Sequence, residues 1–140
     1  MSPSNDPAMI SARDPIRKLV VDRPVVVAEK LTLRAVAAVL AAADIGAALV
    51  EREDGSVGIV SERDVIRALA DEADPETIWS ADVMTQELVT AQADESILRV
   101  AMRMIDEGIR HIGVVDDEII AVISARDVTA VLANDVLASW

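Results

Sequence analysis

With 140 residues, 52% of them hydrophobic, the chain is long enough for one domain or for two small halves that share a core. It has no cysteine and one histidine, His111, which excludes disulfides, thiol catalysis and a Cys/His zinc cluster. The formal charge of −12 at pH 7 disfavours nucleic acid, which demands a basic face, and admits an anionic small molecule only where some of Arg17, Lys18, Arg63, Arg110, His111 and Arg126 converge.

Met1 to Ala12 is short and polar, without the apolar stretch of a signal peptide. It predicts a flexible tail over residues 1–13 of a soluble, cytoplasmic protein. Asp14 to Val20 reads as a helical turn, with Asp14 as cap and Pro15 at the first helical position. Val25 to Val27 is a strand. From Glu29 to Ala43, Leu33, Val36, Ala37, Leu40 and Ala41 recur at three and four, which predicts an amphipathic helix stopped by Asp44-Ile45-Gly46. The most apolar segment, Ala35 to Val50, is broken by Asp44 and Gly46 and too short to span a bilayer, so no membrane partner is expected.

Ala47 to Val50 and Val57 to Val60 are strands joined by a turn whose Asp54-Gly55 is a hairpin signal. A helix opened by Ser61 runs to about Asp71, and residues 72–80, with Pro75, form a linker. The order then repeats. Val89 to Ala91 is a strand, and Asp94 caps a helix whose apolar stripe is Ile97, Leu98, Ala101, Met104, Ile105 and Gly108, with Arg99, Arg103, Asp106 and Glu107 opposite. His111 to Val115 and Ile119 to Ile123 are hairpin strands turned at Asp116-Asp117-Glu118. A last helix, opened by Ser124, ends near Asn134 and leaves a tail over 135–140.

The strongest signal is a stretch the chain states twice. Gly58-Ile59-Val60-Ser61-Glu62-Arg63-Asp64 returns as Ala121-Val122-Ile123-Ser124-Ala125-Arg126-Asp127, each a β-branched run, then Ser-x-Arg-Asp, then apolar residues at helical spacing. Ile109 lies 64 positions after Ile45 and Ser124 lies 63 after Ser61, the one-residue change falling in the hairpin turn. The fold class is therefore α/β (α+β), a duplicated half-domain of β-α-β-β-α order with a period too long for a solenoid.

Ser-x-x-Asp has two readings. One is a capping box. The other is a nucleotide site, since a strand ending at a helix N-terminus presents N–H groups suited to an anion, with an Arg beside them and an Asp able to accept from sugar hydroxyls. His111 is either a strand packing residue or a ligand contact, and Arg63 and Arg126 are either surface ion pairs or phosphate contacts. The acidic turns lack cation-loop spacing and read as solvated, so no metal is expected. Met102 and Met104 fill core or interface, and Trp79 and Trp140, the only aromatics, stand at the linker and the last residue.

The ordered set of signals, with Ile109-Arg110-His111-Ile112-Gly113-Val114 before the hairpin and Val83-Met84-Thr85 before the second strand, resembles the cystathionine β-synthase (CBS) domain family over about residues 14 to 134. Two tandem CBS motifs form a Bateman module, here 14–71 and 81–134, and the chain is similar to stand-alone bacterial CBS pairs. The resemblance implies a regulatory protein, not an enzyme, without an obligatory cofactor. It implies an adenosyl ligand such as AMP, ADP, ATP, NAD or S-adenosylmethionine, pairing into a homodimer and a regulated partner protein yet to be identified.

Carried onto this sequence, the family pattern gives Asp64 and Asp127 the ribose hydroxyls, Ser61 and Ser124 the ribose or phosphate, Arg63 and Arg126 the phosphates, and the strands at Val25 to Val27 and Val89 to Ala91 the adenine. Arg110 and His111 would complete the Asp64 site. Their counterparts, Gly46 and Ala47, carry no charge, and Gly113 stands where the family often has Pro, so the Asp127 site is expected to be the weaker or empty one. A structural dimerisation module with vestigial clefts is the alternative. An acid–base hydrolase built on Asp64 and His111 lacks a nucleophile, base and orienter set.

Overall fold

Val26–Ala28 (β1) is only three residues long, yet it pairs in parallel with Ala47–Glu51 (β2), with Val26 opposite Leu49 and Ala28 opposite Glu51. A parallel pair needs a crossover, supplied here by helix α1, Leu33–Ala43. β2 then turns through Gly55, at φ 87°, into antiparallel Val57–Ser61 (β3), which runs directly into α2, Glu62–Ala70. A short helix α3, Ser80–Val83, follows. The second half repeats the plan with β4 (Thr90–Gln92), α4 (Ile97–Glu107), β5 (His111–Asp116), β6 (Glu118–Ser124) and α5 (Ala125–Ala138). The computed structural model describes residues 10–138, and among these the fold is mixed α+β, with two three-stranded sheets ordered β1-β2-β3 and β4-β5-β6.

The chain divides into two compact units whose boundaries cut across the repeats. One is continuous, Pro24–Leu88; the other joins the chain up to Arg23 to the chain from Val89 onward. The reason lies in the segment ahead of each repeat. Residues 72–80, read from sequence as a linker, lead into Trp79–Ala81, which seats on the first repeat: Ser80 N–H donates to Leu31 O at 2.7 Å and Ala81 N–H to Glu29 O at 3.0 Å. In the same register Ile16 N–H donates to Glu95 O at 2.7 Å and Arg17 N–H to Ala93 O at 3.0 Å, on the second repeat. Each leading segment is thus built into the fold of the other repeat.

Each unit closes its own core. In the continuous one Val27, Leu33, Val36, Leu40, Ala48, Val50, Val60 and Val65 are buried together, with Ile78, Val83 and Met84 against them. In the other, Ile16 and Ile10 are buried with Ile97, Val100, Met104, Ile112, Val114 and Val131. Residues 10–13, read as part of a tail, are therefore half core: Ile10 and Ala12 are buried, and Ala12 N–H donates to Asp135 Oδ2 at 3.1 Å. That bond falls in α5 past Asn134, where the sequence pattern placed the helix end; no glycine or proline stops the helix there. Met1 to Met9 and Trp140 lie outside the described residues.

Helix starts also differ from expectation. α1 begins at Leu33, not Glu29, because Thr32 Oγ1 accepts from Ala35 N–H at 3.2 Å, and α4 is capped by Ser96, whose Oγ accepts from Arg99 N–H at 3.1 Å, not by Asp94. Asp14 caps no helix. Its carboxylate accepts from Ser11 N–H at 2.9 Å and pairs with Lys18, and these contacts hold its pKa below the ordinary value, while Ile16–Leu19 forms a 3₁₀ turn after Pro15. The α4 stripe is rotated from the predicted one: Val100 is buried, whereas Leu98 and Ile105 face solvent.

Gly58 on β3 marks a close backbone approach. Thr85 exchanges two hydrogen bonds with Ile59, Ile59 N–H to Thr85 O at 3.0 Å and Thr85 N–H to Ile59 O at 2.8 Å. A Cβ on Gly58 would stand 2.7 Å from Thr85 O and 3.2 Å from the Met84 sulfur. Gly58→Ala should therefore cost about 1–3 kcal/mol, read by urea denaturation, through displacement of the Thr85 backbone; unchanged stability would mean that this contact yields freely.

Arg103 ties α4 to β4 and to the turn after it, donating to Thr90 O at 3.0 Å and forming a fork with the Glu95 carboxylate. That pairing holds the Glu95 pKa below the usual glutamate value and raises that of Arg103. A carboxyl depressed in the folded state stabilises above its unfolded pKa, and the contribution is lost as pH falls through the folded one. Wild type should accordingly lose stability between about pH 5 and pH 3 more steeply than Glu95→Gln. Parallel acid limbs in denaturation titrations would contradict this.

Candidate functional site

The two Ser-x-Arg-Asp stretches sit where a strand becomes a helix. Ser61 is both the last residue of β3 and the N-cap of α2, with φ −111° and ψ 164°. Asp64 Oδ2 accepts from Ser61 N–H at 2.9 Å and from Ser61 Oγ at 3.0 Å, and Asp64 N–H donates back to Ser61 Oγ at 3.2 Å. The second corner is built alike: Ser124 N–H donates to Asp127 Oδ2 at 3.0 Å and Asp127 N–H to Ser124 Oγ at 3.2 Å. Both copies are capping boxes, so the structural reading of the motif holds at each.

The caps leave part of each corner unused. Glu62 N–H donates to Gly46 O at 2.9 Å and Ala125 N–H to Arg110 O at 2.7 Å, which satisfies the first helical donor from the residue that leads into the neighbouring strand. Only Oδ2 of each aspartate takes part in its box, so Oδ1 remains as an acceptor. Asp64 is half-buried and Asp127 exposed. Arg63, Arg126 and Arg110 are exposed, and none is in a salt bridge among the described residues, so the ion-pair reading of the two motif arginines is not what the structure displays.

The strand register fixes what stands beside each cap. Ala47 lies opposite Ser61, and His111, half-buried, lies opposite Ser124. Arg110, His111, Ser124, Arg126 and Asp127 are thereby brought to one corner of one unit, whereas Ser61, Arg63 and Asp64 belong to the other unit, with Gly46 and Ala47 beside them. Within the continuous unit β2 separates β1 from β3, so Val25 to Val27 and the Asp64 corner are not neighbours in the sheet. The segment beside β3 is Val83-Met84-Thr85, through the Ile59 and Thr85 pair. In the sequence that segment stands only as a family feature before the second strand; its pairing with β3 carries no local signal. Among the described residues no group of three or more His, Cys, Asp or Glu side chains is arranged to hold a metal, and no helix is long and apolar enough to cross a membrane.

The family model for the CBS domain matches residues 12–71 and again residues 80–134. The chain belongs to the CBS domain family. It carries the tandem pair of motifs that makes a Bateman module, and similar solved structures share its CBS-pair fold. A CBS domain protein from Pyrobaculum aerophilum, solved in complex with AMP, is 28% identical, with a TM-score of 0.76 over 88% of this chain and 98% of that one. A CBS-domain protein from Agrobacterium tumefaciens is 25% identical, with a TM-score of 0.79 over 89% and 96% of the two chains. A CBS domain pair solved with 5′-methylthioadenosine and S-adenosyl-L-methionine has the same fold at 22% identity, with a TM-score of 0.76 over 85% and 95%.

Among curated relatives, an uncharacterized protein of Methanopyrus kandleri is 30% identical over 86 residues, 59% of this chain and 44% of its own. An uncharacterized protein of Methanocaldococcus jannaschii is 32% identical over 91 residues, 64% of this chain and 32% of its own. The matched stretch thus spans less than half the length of these relatives.

The CBS corners carry a prediction that needs no ligand. Ser61→Ala and Ser124→Ala should each lower stability by about 1 kcal/mol, the ordinary worth of an N-cap hydroxyl, in denaturation of the ligand-free protein. A loss at one corner only would show that the other helix is held by its packing.

Proposed function

We propose that this CBS pair is a regulatory sensor that binds an adenine nucleotide or a related adenosine derivative and responds with a change in motif or dimer packing. As a class CBS pairs are regulatory modules, and the reading assigns this one no catalytic step. The observation that carries the proposal is the likeness, at 28% identity over nearly the whole of both chains, to a CBS protein that holds AMP. The corners supply suitable chemistry. A carboxylate with one oxygen uncommitted accepts from vicinal ribose hydroxyls, at Asp64 and Asp127, and Ser61 and Ser124 stand beside them. Arg63, Arg126, Arg110 and His111 are the cationic or titratable groups available to phosphate on a chain of net charge −12.

Asymmetry between the corners favours unequal sites. Arg110 and His111 have only Gly46 and Ala47 as counterparts, so one phosphate is served by a basic pair and another is not. We assign the homodimer and a regulated protein partner to the same reading. A structural dimerisation module is the second reading, favoured by one fact: the capping boxes account for Asp64 and Asp127 without any ligand.

A thermal-shift titration with AMP, ADP, ATP, NAD and S-adenosylmethionine separates the two. At a hundred times its Kd a ligand adds about 2.7 kcal/mol to the native state. Each variant is compared with its own ligand-free baseline, since Asp64 also caps α2. Asp64→Asn, which keeps an acceptor for the Ser61 N–H but loses the charge, should abolish or reduce the shift, and Arg110→Ala should weaken ligands in proportion to their phosphate charge. No shift with any of the five compounds would select the dimerisation module.

A further inference from the structure

Asp54-Gly55 is the one Asp-Gly step in the sequence, and no Asn-Gly occurs. It stands at the tip of the β2 to β3 hairpin, where Asp54, Gly55 and Ser56 are all exposed and Gly55 holds φ 87°. Glycine carries no Cβ to hinder its own amide nitrogen, so in an Asp-Gly step that nitrogen reaches the aspartate carboxyl carbon with the least obstruction. The turn of the second repeat is different, since in Asp116-Asp117-Glu118 each aspartate is followed by a residue with a side chain.

The folded tip restrains both reacting groups. Asp54 Oδ1 accepts from Ser56 N–H at 2.8 Å and from Ser56 Oγ at 2.6 Å, and Arg52 Nη1 donates to Ser56 Oγ at 2.8 Å, which fixes the hydroxyl. Gly55 N–H donates to Arg52 O at 2.9 Å, so the nitrogen that would attack is committed to a carbonyl. The bonds from the Ser56 hydroxyl and amide also hold the Asp54 pKa below its ordinary value, which keeps the carboxyl ionised and without a hydroxyl to lose.

We propose that Asp54-Gly55 is a site of spontaneous backbone isomerisation, held dormant by the hairpin and released by local opening of its tip. In the open tip the Gly55 nitrogen bonds to Asp54 Cγ and gives up its proton, while the hydroxyl of the protonated carboxyl leaves as water, closing a cyclic succinimide. Water then adds to the ring. Cleavage of the bond from nitrogen to Cγ restores aspartate. Cleavage of the bond from nitrogen to the Asp54 main-chain carbonyl gives isoaspartate, whose main chain runs through Cβ and Cγ, with no net change in composition. The carboxylate then stands on Cα, out of register for Ser56. The tip is tied to the turn after β1 by Glu53 N–H, which donates to Glu29 Oε1 at 3.0 Å, and by the Lys30 to Glu53 ion pair, so the added methylene falls beside a contact between two turns of the first repeat.

Aged at neutral pH and physiological temperature, the wild-type protein should accumulate isoaspartate at residue 54, located by electron-transfer fragmentation of the peptide that carries the hairpin. Ser56→Ala, which removes the hydroxyl and keeps the amide, should isomerise about tenfold faster, the equivalent of one hydrogen bond to a charged group. The full chain held unfolded in urea should be faster still. Equal rates in wild type and Ser56→Ala would overturn the proposal, as would a folded rate equal to the unfolded one. So would an unfolded chain that forms no isoaspartate at residue 54. The nucleotide titration is judged apart from all of these, since the hairpin tip shares no residue with the strand to helix corners.

Discussion

Backbone hydrogen bonds between a leading segment and the far repeat are the constraint on which the rest of the structure depends. Ile16 and Arg17 donate to Glu95 and Ala93, and Ser80 and Ala81 donate to Leu31 and Glu29. These bonds fix where the chain enters each helix that follows, since Leu33 N–H donates to Ile78 O at 2.8 Å and Ile97 N–H to Asp14 O at 2.9 Å. They also complete the cores. Ile16 and Ser80 occupy equivalent places and both are wholly buried, the serine tolerated because its hydroxyl donates to Ala28 O at 2.6 Å. Removing either segment would strip donors and apolar cover from a repeat otherwise complete in its own strands and helices.

On that frame the candidate site residues are concentrated where strands turn into helices. The same serine and aspartate end a strand, open a helix and hold the corner in one geometry. The two readings of Ser-x-x-Asp are compatible, because a carboxylate that spends one oxygen on the backbone is held still and keeps the other oxygen as an acceptor. The cost of preorganisation is then met by folding. What distinguishes the corners lies on the neighbouring strand, in Arg110 and His111 against Gly46 and Ala47.

Most of this was legible in the sequence because it is local. The strand to helix junctions, the Asp54-Gly55 hairpin and the 64-residue offset are written in short stretches whose periodicity changes from two to about three and a half. Of what escaped, three features have a common kind of cause. The caps Thr32 and Ser96 were hidden by acidic residues a few positions upstream, Glu29 and Asp94, which suit a first turn as well as a cap suits its place. The rotation of α4 was hidden because Leu98 and Ile105 satisfy helical spacing as well as Val100 does; which row is buried is decided by the sheet beneath. The exchange of leading segments left no trace, since Asp-Pro-Ile carries the same local signal whichever repeat receives it. Arg110 and His111 were singled out by their charge on an acidic chain and assigned by the family pattern to the Asp64 site; in the structure they stand beside Ser124, in the unit that does not hold Asp64.

The exchange also sets an order of events during synthesis. The continuous unit, Pro24–Leu88, contains every residue of its own core, so it can close once Leu88 has left the ribosome. Residues 10–23 are made earlier than any of these and have nothing to bind until Ala93, Glu95 and Ile97 have been translated, more than 70 residues later. The first-made core segment is thus among the last to be seated. While it waits, Ile10 and Ile16 are exposed on an unattached strand of chain, and the strongly acidic composition of the chain becomes a safeguard for a nascent intermediate.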